Sequence, residues 1–484
     1  MARVVRVGIV VVWLALMGAL LRERFTAVPA PEPVPTTAAT LHAGEEWQNV
    51  FHGEQKIGYV QQRTMSIDGG FQFDEHSLLR LVMMNEPQTV RTIISGRTDA
   101  HYALQQFTFE LSSGVGTLRV RGNVAGDVLD LTMATGSDES TQQIPLKGPV
   151  YLSATLRNVV AADELRAGRE FQLQVFDPAA MKNDITHVTI EQREVVPQAT
   201  DGTQAWRVRE EFHGIKTTAW VDDSGTVLRE EGPLGLVLVR TDANDALHGR
   251  WGEAAALDLI QTVAVPVTTL IDKPRDLDFL RFRLRGIDLD QVPNDARQRR
   301  SGDSWTITRE DLHTTRTYPL PYTGNDHRAD LAATPLLQID HPRVRSAATE
   351  ALRGESDATH AVSRLLQWIG GYMKQVPTVS IPNALQVLDE RQGDCNEHAV
   401  LFAALARAAG LPTRVAAGVV YLEGAFYYHA WDEVWLGEWV AVDPTFGQFP
   451  ADPTHIKFVQ GGPEEQFEIL PVIGRLGIDV LASG

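Results

Sequence analysis

Two hydrophobic periods divide the chain. From about residue 46 to 241, apolar residues alternate with polar ones, as in Phe71-x-Phe73, Phe107-x-Phe109-x-Leu111, Leu118-x-Val120 and Val188-x-Ile190. A period of two sends successive side chains to opposite faces of a strand. Asp68-Gly69-Gly70, Asp201-Gly202 and Asp223-Ser224-Gly225 interrupt the runs with turn signals. The pattern predicts long antiparallel strands in a curved sheet, half-barrel or sandwich. Phe51-His52-Gly53 and Phe212-His213-Gly214 both look like strand–turn–strand starts. Two related halves, 46–145 and 146–245, are therefore expected. Such a sheet suits a spacing role or a lipid or peptide ligand. Residues 249–340 mix strand signals (Asp278-Phe-Leu-Arg-Phe-Arg-Leu-Arg285) with polar turns. Asp288-x-Asp290 lacks the glycine and glutamate of a calcium loop, having Pro293 and Arg299 at those positions.

From His341 the period becomes helical. Residues 347–352 and 358–373 carry apolar residues at helical spacing, among them Ala361, Leu365, Leu366 and Ile369. A further helix is predicted from Cys395. Asp394 stands at its N-cap and Glu397 at its third position, the arrangement of a capping box. Ala399, Val400, Phe402, Ala403, Leu405, Ala406 and Ala409 would form its buried stripe, and Gly410 would end it ahead of Pro412. Three strands follow, 413–422, 426–436 and 439–442, with turns at Glu423-Gly424 and Gly437-Glu438.

Cys395 is the only cysteine in 484 residues, which excludes an internal disulfide framework and a multi-cysteine zinc site. At a helix start the exposed N–H groups and the helix dipole favour a thiolate. The Cys395 N–H is a candidate oxyanion donor. His429 and Asp443 complete a nucleophile, a base and a group that orients the base. Packing at a helix end, packing among aromatics and a turn cap are the respective structural alternatives. The assignment carries a register condition. A two-residue turn at Gly437-Glu438 would put His429 and Asp443 on opposite faces. An odd-length loop around residues 436–438 is therefore expected. Tyr427, Tyr428 and Trp431 are candidates to shield the site, and His398 is expected to pack or make a secondary polar contact.

The net charge, 44 − 62 = −18, argues against nonspecific nucleic-acid binding. Residues 1–6 are basic, and residues 7–21 form an unbroken apolar run followed by Arg22-Glu23-Arg24. An uncleaved signal anchor is expected, with a cleaved signal peptide as the alternative. Either puts the bulk of the chain outside the cytoplasm, where a lone thiol calls for a reason. A Pro/Ala-rich stretch, Val28-Pro-Ala-Pro-Glu-Pro-Val-Pro35, reads as an extended spacer. There is no Gly-x-Ser-x-Gly elbow, phosphate-cradling loop or His-Glu-x-x-His helix.

Gly393-Asp-Cys-x-Glu-His-Ala-x-Leu-Phe402, then His429-Ala-Trp-x-Glu-Val434, then Trp439-Val-x-Val-Asp-Pro-Thr445 resembles the transglutaminase-like superfamily of cysteine enzymes, over about residues 345–460. It is similar to the bacterial membrane-anchored branch. The resemblance implies an α+β fold with a papain-like C-terminal core behind a large antiparallel β-rich region. It implies Cys395 as nucleophile, His429 as general base and acid, and Asp443 as the residue orienting the imidazole. The expected parts are a signal anchor (1–25), a linker (26–45), a β-rich domain (46–248), a β-rich connection (249–340) and the catalytic domain (341–484). The expected activity is attack on protein or peptide amides through a thioester, with no cofactor, no metal and no nucleic acid. The expected location is membrane-anchored and periplasmic or otherwise extracytoplasmic. A cysteine protease of the same fold and a non-catalytic envelope binding or assembly protein are the alternatives.

Overall fold

The computed structural model describes residues 44–484 apart from 84–85, 115, 136–137, 163–164, 213, 252–257 and 316. The expected anchor and most of the expected linker lie outside the described residues.

The alternating region forms one sheet of fifteen strands. Its first strand, Gly44–His52, lies between Gln55–Ile67 on one side and Leu236–Thr241 on the other. Two meanders fan out from that centre, one reaching Asp138–Pro145 and the other Val150–Tyr151. Pairing is antiparallel except where Val150–Tyr151 meets Arg169–Asp177. The turn chemistry explains why consecutive strands pair. Ile67 faces Gly70 across a two-residue loop, and Gly69 supplies φ +80°, a conformation glycine adopts without a Cβ clash. The sheet is curved enough for its two meanders to meet. Phe107 of the first stands 5.5 Å, ring to ring, from Phe176 of the second. Val120 and Leu129 share one core with Val150, Leu152 and Phe176. The helix Ser153–Ala162 packs against Arg169–Asp177.

The remaining chain is α+β. Helices Pro342–Leu352, Ala358–Tyr372, Ala384–Glu390 and Cys395–Ala408 pack on a five-stranded sheet. That sheet runs Val265–Pro266, Ala425–Trp435, Thr413–Leu422, Ile456–Gly461, with Trp439–Val442 beside Ala425–Trp435. The cysteine helix departs from the expected single stripe. Leu401 and Ala404 are buried along with the stripe residues up to Ala406, and even Arg407 is buried, so the helix is covered nearly all round. A helix of that kind belongs at the centre of a core, and its many alanines allow neighbours to approach closely. Gly410, at φ +80°, follows its last turn as expected.

Residues 279–308 are not a bystander to this core. Phe279–Arg285 pairs with the C-terminal strand Gly477–Ser483, and Leu280, Phe282, Trp305 and Ile307 share a core with Val419, Phe426 and Ile456. Arg297 donates to the carbonyls of Ala451 (3.0 Å) and Asp452 (2.8 Å). Gln298 exchanges two 2.9 Å hydrogen bonds with the Lys457 backbone. The stretch 451–457 is thereby fixed in position, which matters for the site.

Candidate functional site

The start of the cysteine helix is built as its sequence predicts. Asp394 accepts from Asn396 N–H at 3.0 Å, and Glu397 Oε2 accepts from Asp394 N–H at 2.8 Å. Glu397 does more than cap. Its other oxygen accepts from Thr378 Oγ1 (3.0 Å) and from Ser380 Oγ, holding the extended stretch 378–380 against the helix. His398 bonds the Asp394 carbonyl through Nδ1 at 2.6 Å, the secondary contact expected for it.

The odd-length loop is present. Trp435 pairs with Trp439 and Asp432 with Val442, leaving residues 436–438 as a three-residue connection. Continued by one residue, that register sets Asp443 opposite Trp431, on the face His429 shares because side chains repeat every two residues. His429 Nε2 lies 2.8 Å from Asp443 Oδ2. Cys395 is half-buried, and the backbone of Ala430, the residue after His429, acts to lower its pKa. The Asp443 bond fixes the proton on Nε2 and leaves Nδ1 as the basic nitrogen. Phe446 stacks on the imidazole at 4.9 Å and 11°.

Asp443 is saturated. Oδ1 accepts from Thr445 N–H (2.7 Å) and Phe446 N–H (2.9 Å), while Oδ2 accepts from His429 and from His455 Nε2 (2.9 Å). A carboxylate offers about four lone-pair positions. Burial would raise its pKa, but His429, through charge and hydrogen bond, and His455 hold it far below the usual carboxylate range.

His455 escaped sequence reasoning. It is 1% exposed, and its Nδ1 lies 3.0 Å from the Asp452 carbonyl. Both of its partners are acceptors, so both ring nitrogens must carry protons. Burial opposes that charge, yet the bonds to Asp443 and Asp452 push its pKa up to about 9. No motif marks it, because it comes from the loop just before the strand Ile456–Gly461, beyond the three motif blocks. The nearest sequence signal is Asp452-Pro-Thr-His455, an acid three residues before a histidine. His429, Asp443 and His455 bring three possible metal donors within 4.8 Å of one another. Those atoms are already paired as donors and acceptors.

The thiol's surroundings correct one expectation. Burial pushes the Cys395 pKa well up, and the Asp394, Glu397 and Asp443 carboxylates push it further, against the one Ala430 N–H. These effects run against the thiolate expected from the helix start. Cys395 and His429 open into a cleft of about 250 Å³ with largely apolar walls, including Ile381, Pro382, Tyr428, Phe467 and Leu470. Of the three aromatics expected to shield the site, only Tyr428 lines the cleft. Tyr428 donates to the Val472 carbonyl at 3.1 Å, and Trp431 is buried behind, packed edge-on to His455 at 5.2 Å. The stretch Pro463–Val472 forms one wall. Lys182 of the large sheet reaches it through Glu468 (2.8 Å) and Glu465 (3.4 Å).

The family model described as the transglutaminase-like superfamily matches residues 345–444. A curated relative, a protein-glutamine gamma-glutamyltransferase of Pseudomonas aeruginosa, is 32% identical over 127 residues. That alignment takes in 23% of this chain and 19% of the relative, so the chain spans about a fifth of the length of the curated protein it matches. A β-barrel-like protein of unknown function from Brucella abortus has TM-score 0.33 and 11% identity, over 41% of this chain and 95% of that one. The periplasmic domain of TgpA from Pseudomonas aeruginosa has TM-score 0.23 and 21% identity, over 36% and 88%. Likeness at these TM-scores is partial similarity only. Sequence carries the assignment: residues 345–444 are a core of the transglutaminase-like superfamily.

Proposed function

We propose that the protein is a cysteine acyl-transfer enzyme that opens protein or peptide amides through Cys395, His429 and Asp443. The observation that carries this reading is the 2.8 Å bond from His429 Nε2 to Asp443, with Cys395 and His429 lining one cleft. Nothing in a packed core requires a histidine held by a buried, saturated carboxylate to share a cleft with a thiol. The name of the curated relative supports a glutamine carboxamide as the acyl donor.

In this reading Cys395 Sγ attacks the carbonyl carbon while its proton passes to His429 Nδ1. The raised thiol makes that transfer part of the attack rather than a prior step. The carbon–nitrogen bond then breaks, and ammonia or an amine leaves with the proton from His429. A thioester remains on Cys395. Water or a primary amine adds to it, giving a proton to His429, and the carbon–sulfur bond breaks as that proton returns to sulfur. Water yields an acid and an amine yields a new amide. Asp443 keeps the imidazole in the required tautomer. The apolar cleft walls favour a substrate with aliphatic or aromatic groups beside the reacting amide.

An extracytoplasmic, membrane-anchored location is proposed with it, on the basic and apolar residues 1–21. Among the described residues, no helix is long and apolar enough to cross a membrane.

The test offers a glutamine-containing peptide with and without a fluorescent primary amine, and follows ammonia, amine incorporation, peptide cleavage and intact mass. An acyl adduct on Cys395 is expected, absent in Cys395→Ala. Ammonia release alone identifies a deamidase, amine incorporation a transferase, and cleavage a protease. Absence of adduct and of all products across a panel of proteins and peptides would leave the binding or assembly reading in its place.

A further inference from the structure

A cavity of about 350 Å³ lies between the helix Ser153–Ala162 and strands of the large sheet. Its walls are mainly aliphatic, with Val160 from the helix and Val188, Val208 and Val227 from the strands. Into this apolar space the sheet directs three carboxylates, Glu75, Glu210 and Glu230. Arg157 is the one cation among the described lining residues, and it also pairs with Glu46 at 3.1 Å. Gln62 donates to Glu75 at 2.9 Å and Thr186 to Glu210 at 3.2 Å. Three acids thus share one guanidinium, and burial pushes the pKa of each of them up.

A second observation is independent of the acids. Gln48 lines the same cavity, is 8% exposed, and its Nε2 has no hydrogen-bond partner. An unused buried donor costs about 1–3 kcal/mol. It marks a position where an acceptor belongs.

We propose that this cavity binds a small organic ammonium ion with an aliphatic body and an oxygen acceptor beside its charged head. The carboxylates take the ammonium, Gln48 donates to the oxygen, and the valines cover the hydrocarbon. The volume sits at the lower end of small-molecule pockets, which run from about 300 to 1,000 Å³. A bare metal ion fits less well. Among the described residues these carboxylates do not converge into a metal-ligand group. Burial and the charges of Glu210 and Glu75 push Glu230 up to about 7, and Arg157 opposes them. A bound cation would relieve that repulsion. Nothing in the site depends on Cys395.

Titration calorimetry on the purified full-length protein tests it with four probes sharing one chain length: octylammonium, 2-aminooctan-1-ol, octan-1-ol and octanoate. The ammonium probes are expected to bind at least tenfold more tightly than octan-1-ol, with octanoate weakest. Glu210→Gln/Glu230→Gln should bring octylammonium down to the octan-1-ol level. Gln48→Leu should weaken 2-aminooctan-1-ol severalfold and leave octylammonium unchanged. The head-group series needs only the wild-type protein, so it decides the matter even where a variant fails to fold. Equal binding of all four probes, or tightest binding of octanoate, overturns the proposal. An unchanged 2-aminooctan-1-ol affinity in Gln48→Leu overturns the acceptor.

Discussion

His455 carries a buried charge that the fold must support, and its removal can be worked through. Gln is the apt replacement, since it keeps a donor and much of the volume but no charge. In the wild-type protein the imidazolium is raised from 6.5 to about 9, and 9 − 6.5 = 2.5. At about 1.4 kcal/mol per unit, that shift corresponds to ~3 kcal/mol of stability. A folded-state value above the unfolded one gives a contribution fully present below pH 6.5, lost as pH rises through about 9. The variant has no such group. The wild-type minus His455→Gln difference in unfolding free energy should therefore shrink by most of ~3 kcal/mol across that window. Loss of the imidazolium opposite Asp443 and Asp452, which keep their other hydrogen bonds, adds an offset of up to about 3–5 kcal/mol, the range for a broken buried pair. Guanidinium chloride melts of both proteins at half-unit steps from pH 6 to 9.5 measure it. A difference that stays flat or grows with pH would show that His455 is neutral in the fold, with a proton on one ring nitrogen only, and one of its two bonds to Asp443 and Asp452 would go with it.

Other perturbations probe the same frame. Because the Cys395 thiol is pushed up, its alkylation by iodoacetamide should keep accelerating through pH 8 to 9.5, and His429→Ala should slow it at pH 7; a plateau already reached near pH 6.5 would contradict the raised thiol. Lys457 Nζ meets both Glu433 oxygens (2.7 and 2.8 Å) and Asp295 (2.7 Å). Lys457→Met should cost about 3–5 kcal/mol in a chemical melt, with partial recovery in Lys457→Met/Glu433→Leu. Glu397→Ala removes half of the capping box and the tie to Thr378 and Ser380, so a loss of about 1–2 kcal/mol is expected. Limited proteolysis of that variant should show faster cutting near residues 376–383, and an unchanged rate would count against the tie.

Local signals in the sequence carried far. The pair Glu423-Gly424 predicts a tight hairpin, and both residues have positive φ, the conformation such turns need. Asp394 and Glu397 read as a cap because the two bonds involved are local. The register condition on His429 and Asp443 needed only the period of a strand and the parity of a loop. What stayed hidden depends on partners far away in the chain. The all-round burial of the cysteine helix is invisible in its own periodicity, since alanine suits an exposed face as well as a buried one. His455 reaches Asp443 only because Ile456–Gly461 pairs with Thr413–Leu422, and because Arg297 and Gln298 hold residues 451–457. No spacing within residues 395–443 encodes those bonds.

The electrostatics of the cleft point to a division of labour that the three-residue motif does not contain. A thiol surrounded by Asp394, Glu397 and Asp443 resists ionising, so in the proposed reaction its activation comes from a base with a free nitrogen. His429 can serve only while its Nε2 proton stays on the Asp443 side. Asp443 holds that proton best as a carboxylate, and the His455 imidazolium helps keep it one inside a core that would otherwise protonate it. In the proposed reaction His455 thus acts two steps from the sulfur, as a positioning residue. Its neutral replacement should lower the acid stability of the Asp443 carboxylate before it alters the geometry of the cleft.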